Sequence, residues 1–290
     1  MNRFTVSVIL FFTAVAVVAA MVLMPAWCKT EKGKDMKEQN SSISQEVFPN
    51  PVITIICDNN PYTEGVQTAW GFSCLITGFE KTILFDTGPD GGLLLDNMEK
   101  LAVNPQSIDT VVLSHIHADH TGGLQGFLER NSDVTVYMPV SFARSFKSRV
   151  QQTGAKIVET EKPLKICENV YSTGQLGRLI KEQSLIVETE KGLIVITGCA
   201  HPGIVRIIES AGKLLEKDVF LAMGGFHLEW TGTGKIEKII SALKKLGVRY
   251  AGPCHCSGDK ARNLFEKHFG PEYKYINIGA GKVINIEDLK

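Results

Sequence analysis

Ser114-His115-Ile116-His117-Ala118-Asp119-His120-Thr121-Gly122-Gly123 packs three imidazoles and one carboxylate into six positions. The preceding Thr110-Val111-Val112-Leu113 is apolar and β-branched, the composition of a buried strand. The following Leu124-Gln125-Gly126-Phe127-Leu128-Glu129-Arg130 reads as the start of a helix. The cluster therefore sits at the carboxyl end of a strand, on the loop that feeds a helix, where open α/β sheets place their ligands. Neutral imidazole nitrogens and a carboxylate oxygen are donors that suit zinc, iron or manganese. His115 and His117 alternate along extended backbone, so both can turn to one ion. Asp119 and His120 are adjacent and suit a second ion close by.

The pattern of a strand ending in chemistry recurs along the chain. Val52–Cys57, Gly71–Ile76 and Lys81–Phe85 read as strands, and the third ends in Asp86-Thr87-Gly88. Leu93–Leu101 has helical spacing. Ser184–Glu188 and Leu193–Thr197 alternate around Glu190-Lys191-Gly192, a hairpin turn. The second of that pair ends in Gly198-Cys199-Ala200-His201-Pro202-Gly203 and leads into a helix, Ile204–Leu215. Val219–Met223 ends in Gly224-Gly225-Phe226-His227-Leu228, and a short strand from Tyr250 ends in Cys254-His255-Cys256-Ser257-Gly258. Ile166–Tyr171 and Tyr275–Ile286 each read as one strand. Only His268, on a closing helix Lys260–Phe269, lacks a motif, and it reads as a surface residue.

Taken together, these motifs resemble the metallo-β-lactamase superfamily, whose signature is His-x-His-x-Asp-His. The resemblance implies an α/β (α+β) fold, the four-layer αββα sandwich, with a metal site at one edge of its two sheets. It makes His115, His117 and His201 the ligands of a first ion. Asp119, His120 and His255 become those of a second. Asp86 matches the early Asp-x-Gly motif, where the Asp supports the ligands. Most members carry a bridging Asp near 224–228, but here no acid occurs before Glu229, and His227 is either a ligand or a pocket residue. The expected catalytic groups are thus Asp119, Asp86 and His227. Over roughly Val52–Ile286 the motifs look like one branch, the dihydropterin–ribofuranosylaminobenzene-phosphate synthases.

Lys+Arg and Asp+Glu both total 31, so no global field favours nucleic acid. Phe4–Cys28 carries no charge, and Val6–Met24 is close to the length that spans a bilayer. Residues 1–28 are therefore expected to be a signal peptide or membrane anchor, 29–48 a polar linker, and 49–290 the metal-binding domain. That arrangement implies an exported or membrane-tethered domain. Of seven cysteines, Cys254 and Cys256 bracket His255, so one can serve as a zinc thiolate. Cys57, Cys74, Cys167 and Cys199 read as small buried apolar residues. Export would also permit disulfides.

Two divalent ions about 3.5–4 Å apart share a water and turn it into hydroxide near neutral pH. The expected activity is a metal-dependent hydrolase or transferase acting on a phosphorylated or heterocyclic small molecule. An envelope lactonase or β-lactamase, and a non-catalytic metal sensor, are the alternatives. With Asp119 as the single acidic ligand, the second ion is expected to bind more weakly than the first. The excess positive charge favours an anionic substrate and competition by phosphate.

Overall fold

A computed structural model gives the structure of residues 50–269 and 272–290. The proposed leader and linker lie outside the described residues. Among the described residues, no helix is long and apolar enough to cross a membrane.

The chain runs β1 (Val52–Cys57), β2 (Ser73–Thr77), β3 (Ile83–Phe85), α1 (Gly91–Lys100), β4 (Thr110–Val112), α2 (Ala118–Thr121), α3 (Leu124–Arg130), β5 (Thr135–Pro139), α4 (Arg144–Gln152) and β6 (Lys156–Thr160). It continues β7 (Leu164–Cys167), β8 (Val170–Ser172), β9 (Leu185–Thr189), β10 (Gly192–Thr197), α5 (Ile204–Leu215), β11 (Val219–Gly225), α6 (Thr233–Lys245), β12 (Tyr250–Cys254), α7 (Gly258–His268), β13 (Lys274–Tyr275) and β14 (Val283–Asn285). The strands form two seven-stranded sheets, ordered β14-β1-β2-β3-β4-β5-β6 and β13-β12-β11-β10-β9-β8-β7.

β10 shows why the sheets stack. Ile194 and Ile196 point into a core shared with Ile55, Ile76, Phe85 and Val112 of the first sheet. Leu193 and Val195 point the other way, against Ile204, Ile207 and Ile240 of α5 and α6. Strand side chains alternate between faces, so a strand apolar on both must be covered on both. β4 repeats this in the first sheet. Val112 enters the shared core, while Val111 packs with Leu94, Met98 and Phe127 of α1 and α3. Three apolar layers between helix, sheet, sheet and helix make the expected αββα sandwich.

Each sheet is antiparallel at one side and parallel at the other. β3, β4, β5 and β6 run parallel, as do β10, β11, β12 and β13. Parallel neighbours need crossover helices, which α1 and α3 to α7 supply. This gathers the carboxyl ends of β3, β4, β10, β11 and β12 along one edge of the sandwich.

Two strand assignments differ from the sequence reading. Ile166–Tyr171 is not one strand: β7 and β8 form a tight hairpin that reverses at Asn169, which takes a left-handed φ of 62°. Tyr275–Ile286 also divides, because β13 joins the second sheet and β14 the first. Between them the chain passes so close to the 60–61 loop that a Cβ on Gly279 would lie 2.6 Å from Asn60 O. An unbroken strand cannot belong to both sheets.

Truncating Ile196, wholly buried between the sheets, is expected to cost about 2–5 kcal/mol in Ile196→Ala. Urea unfolding measures it, and an unchanged midpoint would contradict the shared core.

Candidate metal centre

The site is built outward from Asp86, which ends β3 with a left-handed φ of 55° and no solvent exposure. Its Oδ1 accepts the backbone N–H of Ser114 at 2.7 Å. Its Oδ2 accepts the Ser114 hydroxyl at 2.6 Å and His120 Nδ1–H at 2.7 Å. Because the Ser114 proton is given to Asp86, Ser114 Oγ is left to accept from His115 Nδ1–H at 2.9 Å. One carboxylate thereby orients two histidines, turning Nε2 of each toward the site. Burial pushes the Asp86 carboxyl above its ordinary range, and the His120 charge and hydrogen bond draw it partly back. Burial first, then the neighbouring His120, pushes His115 down to about 2, so its imidazole is neutral.

The other two inward-facing histidines are oriented the same way by different acceptors. Glu182, fully buried, accepts N–H groups of Cys199 at 2.9 Å, Ala200 at 2.8 Å and His201 at 2.8 Å. It also accepts His201 Nδ1–H at 2.9 Å. Successive N–H groups pointing at one anion form a nest, which here needs the left-handed φ of 56° at Ala200. Burial works to raise Glu182, but the hydrogen bond and charge of His201 hold it down to about 2. His255 places Nδ1 3.1 Å from Asn59 Oδ1, and its backbone N–H donates to buried Asp58 at 3.1 Å.

Close approach of the two sheets' loops rests on glycine. A Cβ at Gly198 would stand 2.1 Å from Ser114 Oγ and 2.9 Å from Asp86 Oδ2. Gly122 likewise lies where a Cβ would meet Pro89 O at 2.0 Å, which lets α2 settle on the loop after β3.

Two groups of donors result. His115, His117 and His201 form one, with His115 Nε2 3.0 Å from His117 Nδ1 and the His201 ring centroid 4.6 Å from that of His115. Asp119, His120, His255 and Cys199 form the other. Within it His120 Nε2 is 3.2 Å from His255 Nε2, and Asp119 Oδ2 is 3.5 Å and 3.3 Å from those two nitrogens. Donors about 2.0–2.1 Å from a tetrahedral zinc stand about 3.3 Å apart, so these separations are edges of such a polyhedron. A proton on one nitrogen of each facing pair makes the contact a hydrogen bond, and, against the effect of burial, the charges of Asp86 and Asp119 raise the His120 pKa accordingly; a divalent ion in the proton's place would use both lone pairs. The donor set and its spacing therefore fit divalent ions.

The sequence-selected residues thus come together, with two exceptions. His227 does not join Asp119, His120 and His255. It is exposed, its ring 4.7 Å from that of His201, and its donor groups with Cys199 and Cys256. Asp86 lies behind the histidines rather than at the open face, so it positions and does not touch a substrate. His268 belongs to none of these groups and is half-buried, 3.7 Å from the Glu237 carboxylate. Cys199, read as a small core residue, is buried but faces His120 Nε2 at 3.2 Å. The six described cysteines are all free thiols. Glu182, Asp58, Asn59 and Trp70 were not singled out from the sequence. For Glu182 the available signal was an acid directly before an apolar strand. An open cavity of about 520 Å³ faces both groups, lined by Trp70, Pro89, His117, Asp119, His201 and His227 among others.

Comparison with known proteins agrees with this geometry. The sequence profile of the metallo-beta-lactamase superfamily matches residues 71–215. A 7,8-dihydropterin-6-methyl-4-(beta-D-ribofuranosyl)-aminobenzene-5'-phosphate synthase of Methanocaldococcus jannaschii is 32% identical, covering 80% of this chain and 95% of its own. The chain belongs to the metallo-beta-lactamase superfamily. An uncharacterized protein of Methanocaldococcus jannaschii is 28% identical, covering 81% of this chain and 100% of its own. Among solved structures, a metal-dependent hydrolase of the beta-lactamase superfamily superimposes with a TM-score of 0.68 at 29% identity, over 81% of this chain and 99% of that one. The metallo-beta-lactamase fold implies divalent-metal binding, and membership makes this chain an enzyme.

Glu182→Gln would set an amide NH2 against donors that now share a carboxylate. It is expected to destabilise the metal-free chain by about 1–3 kcal/mol in urea unfolding. A change below about 0.5 kcal/mol, the scatter of surface substitutions, would contradict the nest.

Proposed function

We propose that this enzyme is a binuclear metal-dependent hydrolase or transferase acting on a phosphorylated, heterocyclic small molecule, in the manner suggested by its dihydropterin relative. The observation that carries the reading is the pair of donor groups on one wall of a cavity large enough for such a substrate. His115, His117 and His201 would hold one ion, and Asp119, His120 and His255 the other. Nitrogen-rich sets of this kind suit zinc best, with iron or manganese as the other choices. When bound, two such ions supply Lewis acidity toward a phosphoryl or carbonyl oxygen and a water whose pKa falls to near neutrality.

The chain's own side chains supply the rest. Trp70 is 49% exposed at the cavity, its ring 5.1 Å from that of His255, and offers a face on which a heterocycle can stack. His227, exposed on the same wall, presents an imidazole N–H within reach of an anionic group. Its hydrogen bond to Cys256, opposed by desolvation, raises the His227 pKa. Asp86, Glu182 and Asn59 hold the histidines so that little reorganisation accompanies substrate binding. The product for which the relative is named contains both a ring system and a phosphate, which supports this reading.

The purified enzyme, assayed on a phosphodiester, a lactone and a β-lactam, is expected to turn over the phosphodiester. Chelation of its metal or His115→Ala should lower that rate at least about 100-fold. Inorganic phosphate should compete. Full activity after metal stripping, or turnover confined to the lactone or β-lactam, would contradict the proposal.

A further inference from the structure

We propose that Cys199 is the fourth protein ligand of the second metal position, where its thiolate supplies the negative charge that a bridging carboxylate carries in most relatives. The inference deepens the two-ion reading above and rests on it. Cys199 Sγ lies 3.2 Å from His120 Nε2 and within 4.8 Å of the donor atoms of Asp119 and His255. A thiolate and an imidazole sharing one tetrahedral zinc stand about 3.6 Å apart, from Zn–S of about 2.3 Å and Zn–N of about 2.0–2.1 Å. The observed separation is that edge, slightly closed.

Cys199 is buried, but its sulfur faces a ring nitrogen whose partner nitrogen is committed to Asp86, a polar contact that a space-filling residue does not need. Its place is fixed by its own backbone N–H, donated to the Glu182 carboxylate that also orients His201. A single buried acid thus positions a donor in each of the two groups. The strand that would present a bridging acid offers no room for one at Gly225. A Cβ there would stand 2.3 Å from Gly198 O and 2.8 Å from Cys256 Sγ.

On coordination the S–H bond breaks, a sulfur–metal bond forms, and the proton leaves to solvent, with no change of oxidation state. Two consequences follow. At the second position, Asp119 and the Cys199 thiolate offset both charges of a divalent ion, while three neutral imidazoles at the first offset none. The order of affinity expected from Asp119 alone is therefore reversed, and the second position fills first. The second position is also closed by four protein donors, as in structural zinc sites. The first keeps an open coordination place, as catalytic ones do. Both groups border the cavity, His117 and His201 from the first and Asp119 and Cys199 from the second, so a substrate there would reach an open place at the first.

Cys256 is the built-in control. It shares a donor group with Cys199 and His227, and its thiol points to the Cys199 carbonyl at 3.8 Å, but it is absent from the group of Asp119, His120 and His255. The test is a titration of the metal-free chain with cobalt(II), followed in the near ultraviolet and the visible. A sulfur-to-cobalt charge-transfer band is expected to grow with the first equivalent and then stop, while the visible ligand-field bands continue to the second. Cys199→Ser should abolish the charge-transfer band and weaken the first-filled position at least about tenfold, leaving ligand-field bands from the histidines. Cys256→Ser should keep the band. Should Cys199→Ser fail to fold by circular dichroism, Cys256→Ser decides alone, since loss of its band overturns the assignment. Ligand-field bands without any charge-transfer band in the native chain would overturn the cysteine assignment and leave the two-ion reading standing. No cobalt binding at all would sink both.

Discussion

A buried carboxylate that accepts three hydrogen bonds, from Ser114 N, Ser114 Oγ and His120 Nδ1, ties the whole centre together. Asp86 is costly to bury, and those bonds are what makes its burial tolerable. They also carry information, because a carboxylate can only accept. Every proton around it is thereby directed: away from the metal-facing nitrogen of His120, and through Ser114 away from that of His115. The two donor groups are thus prepared by one side chain lying behind both.

The fold explains why such a side chain exists. Parallel strands at matching sides of the two sheets end at a common edge, and crossover helices leave from there. Strand ends at such an edge must turn sharply, and Asp86, Ala200, His227 and His255 all do so with left-handed φ between 46° and 56°. Non-glycine residues accept that conformation only where surrounding contacts enforce it. Here the contacts are the site's own: Asp86 to Ser114, the Glu182 nest to Ala200, and Asp58 to the His255 N–H. Rigidity of the ligands and strain of the backbone have one origin. The exposed side of the centre, with Trp70 and His227, carries fewer such restraints and faces the cavity.

Most of the fold was legible because its strands are apolar on both faces and its motifs fall at their ends. Val111-Val112 before Ser114, and Leu193–Thr197 before Gly198, need only composition to be read as buried strands. The divided strands were missed for a physical reason. A run such as Tyr275–Ile286 has strand-like composition throughout, and only the close passage of Gly279 past Asn60 reveals the switch between sheets. Ligand histidines were legible because their spacing within one short stretch is itself chemical information. Glu182 and Cys199 were not, since each acts through contacts with residues 17 and 79 positions away, respectively. Burial of Cys199 was correctly read, but burial alone does not distinguish a thiol packed against hydrocarbon from one aimed at an imidazole. His227 misled in the opposite sense: its place at a strand end resembled the others, yet its side chain turns toward Cys256 and the cavity.

The central claim, that Asp86 prepares both metal positions at once, is tested most directly by calorimetric zinc titration of Asp86→Asn. Asparagine keeps the size but turns an NH2 toward a donor, disturbing His120 directly and His115 through Ser114. The account predicts a circular dichroism spectrum like that of the native chain and a loss of about 10–100-fold in affinity at both positions. Two positions of native affinity, or a loss confined to the one that contains His120, would contradict it.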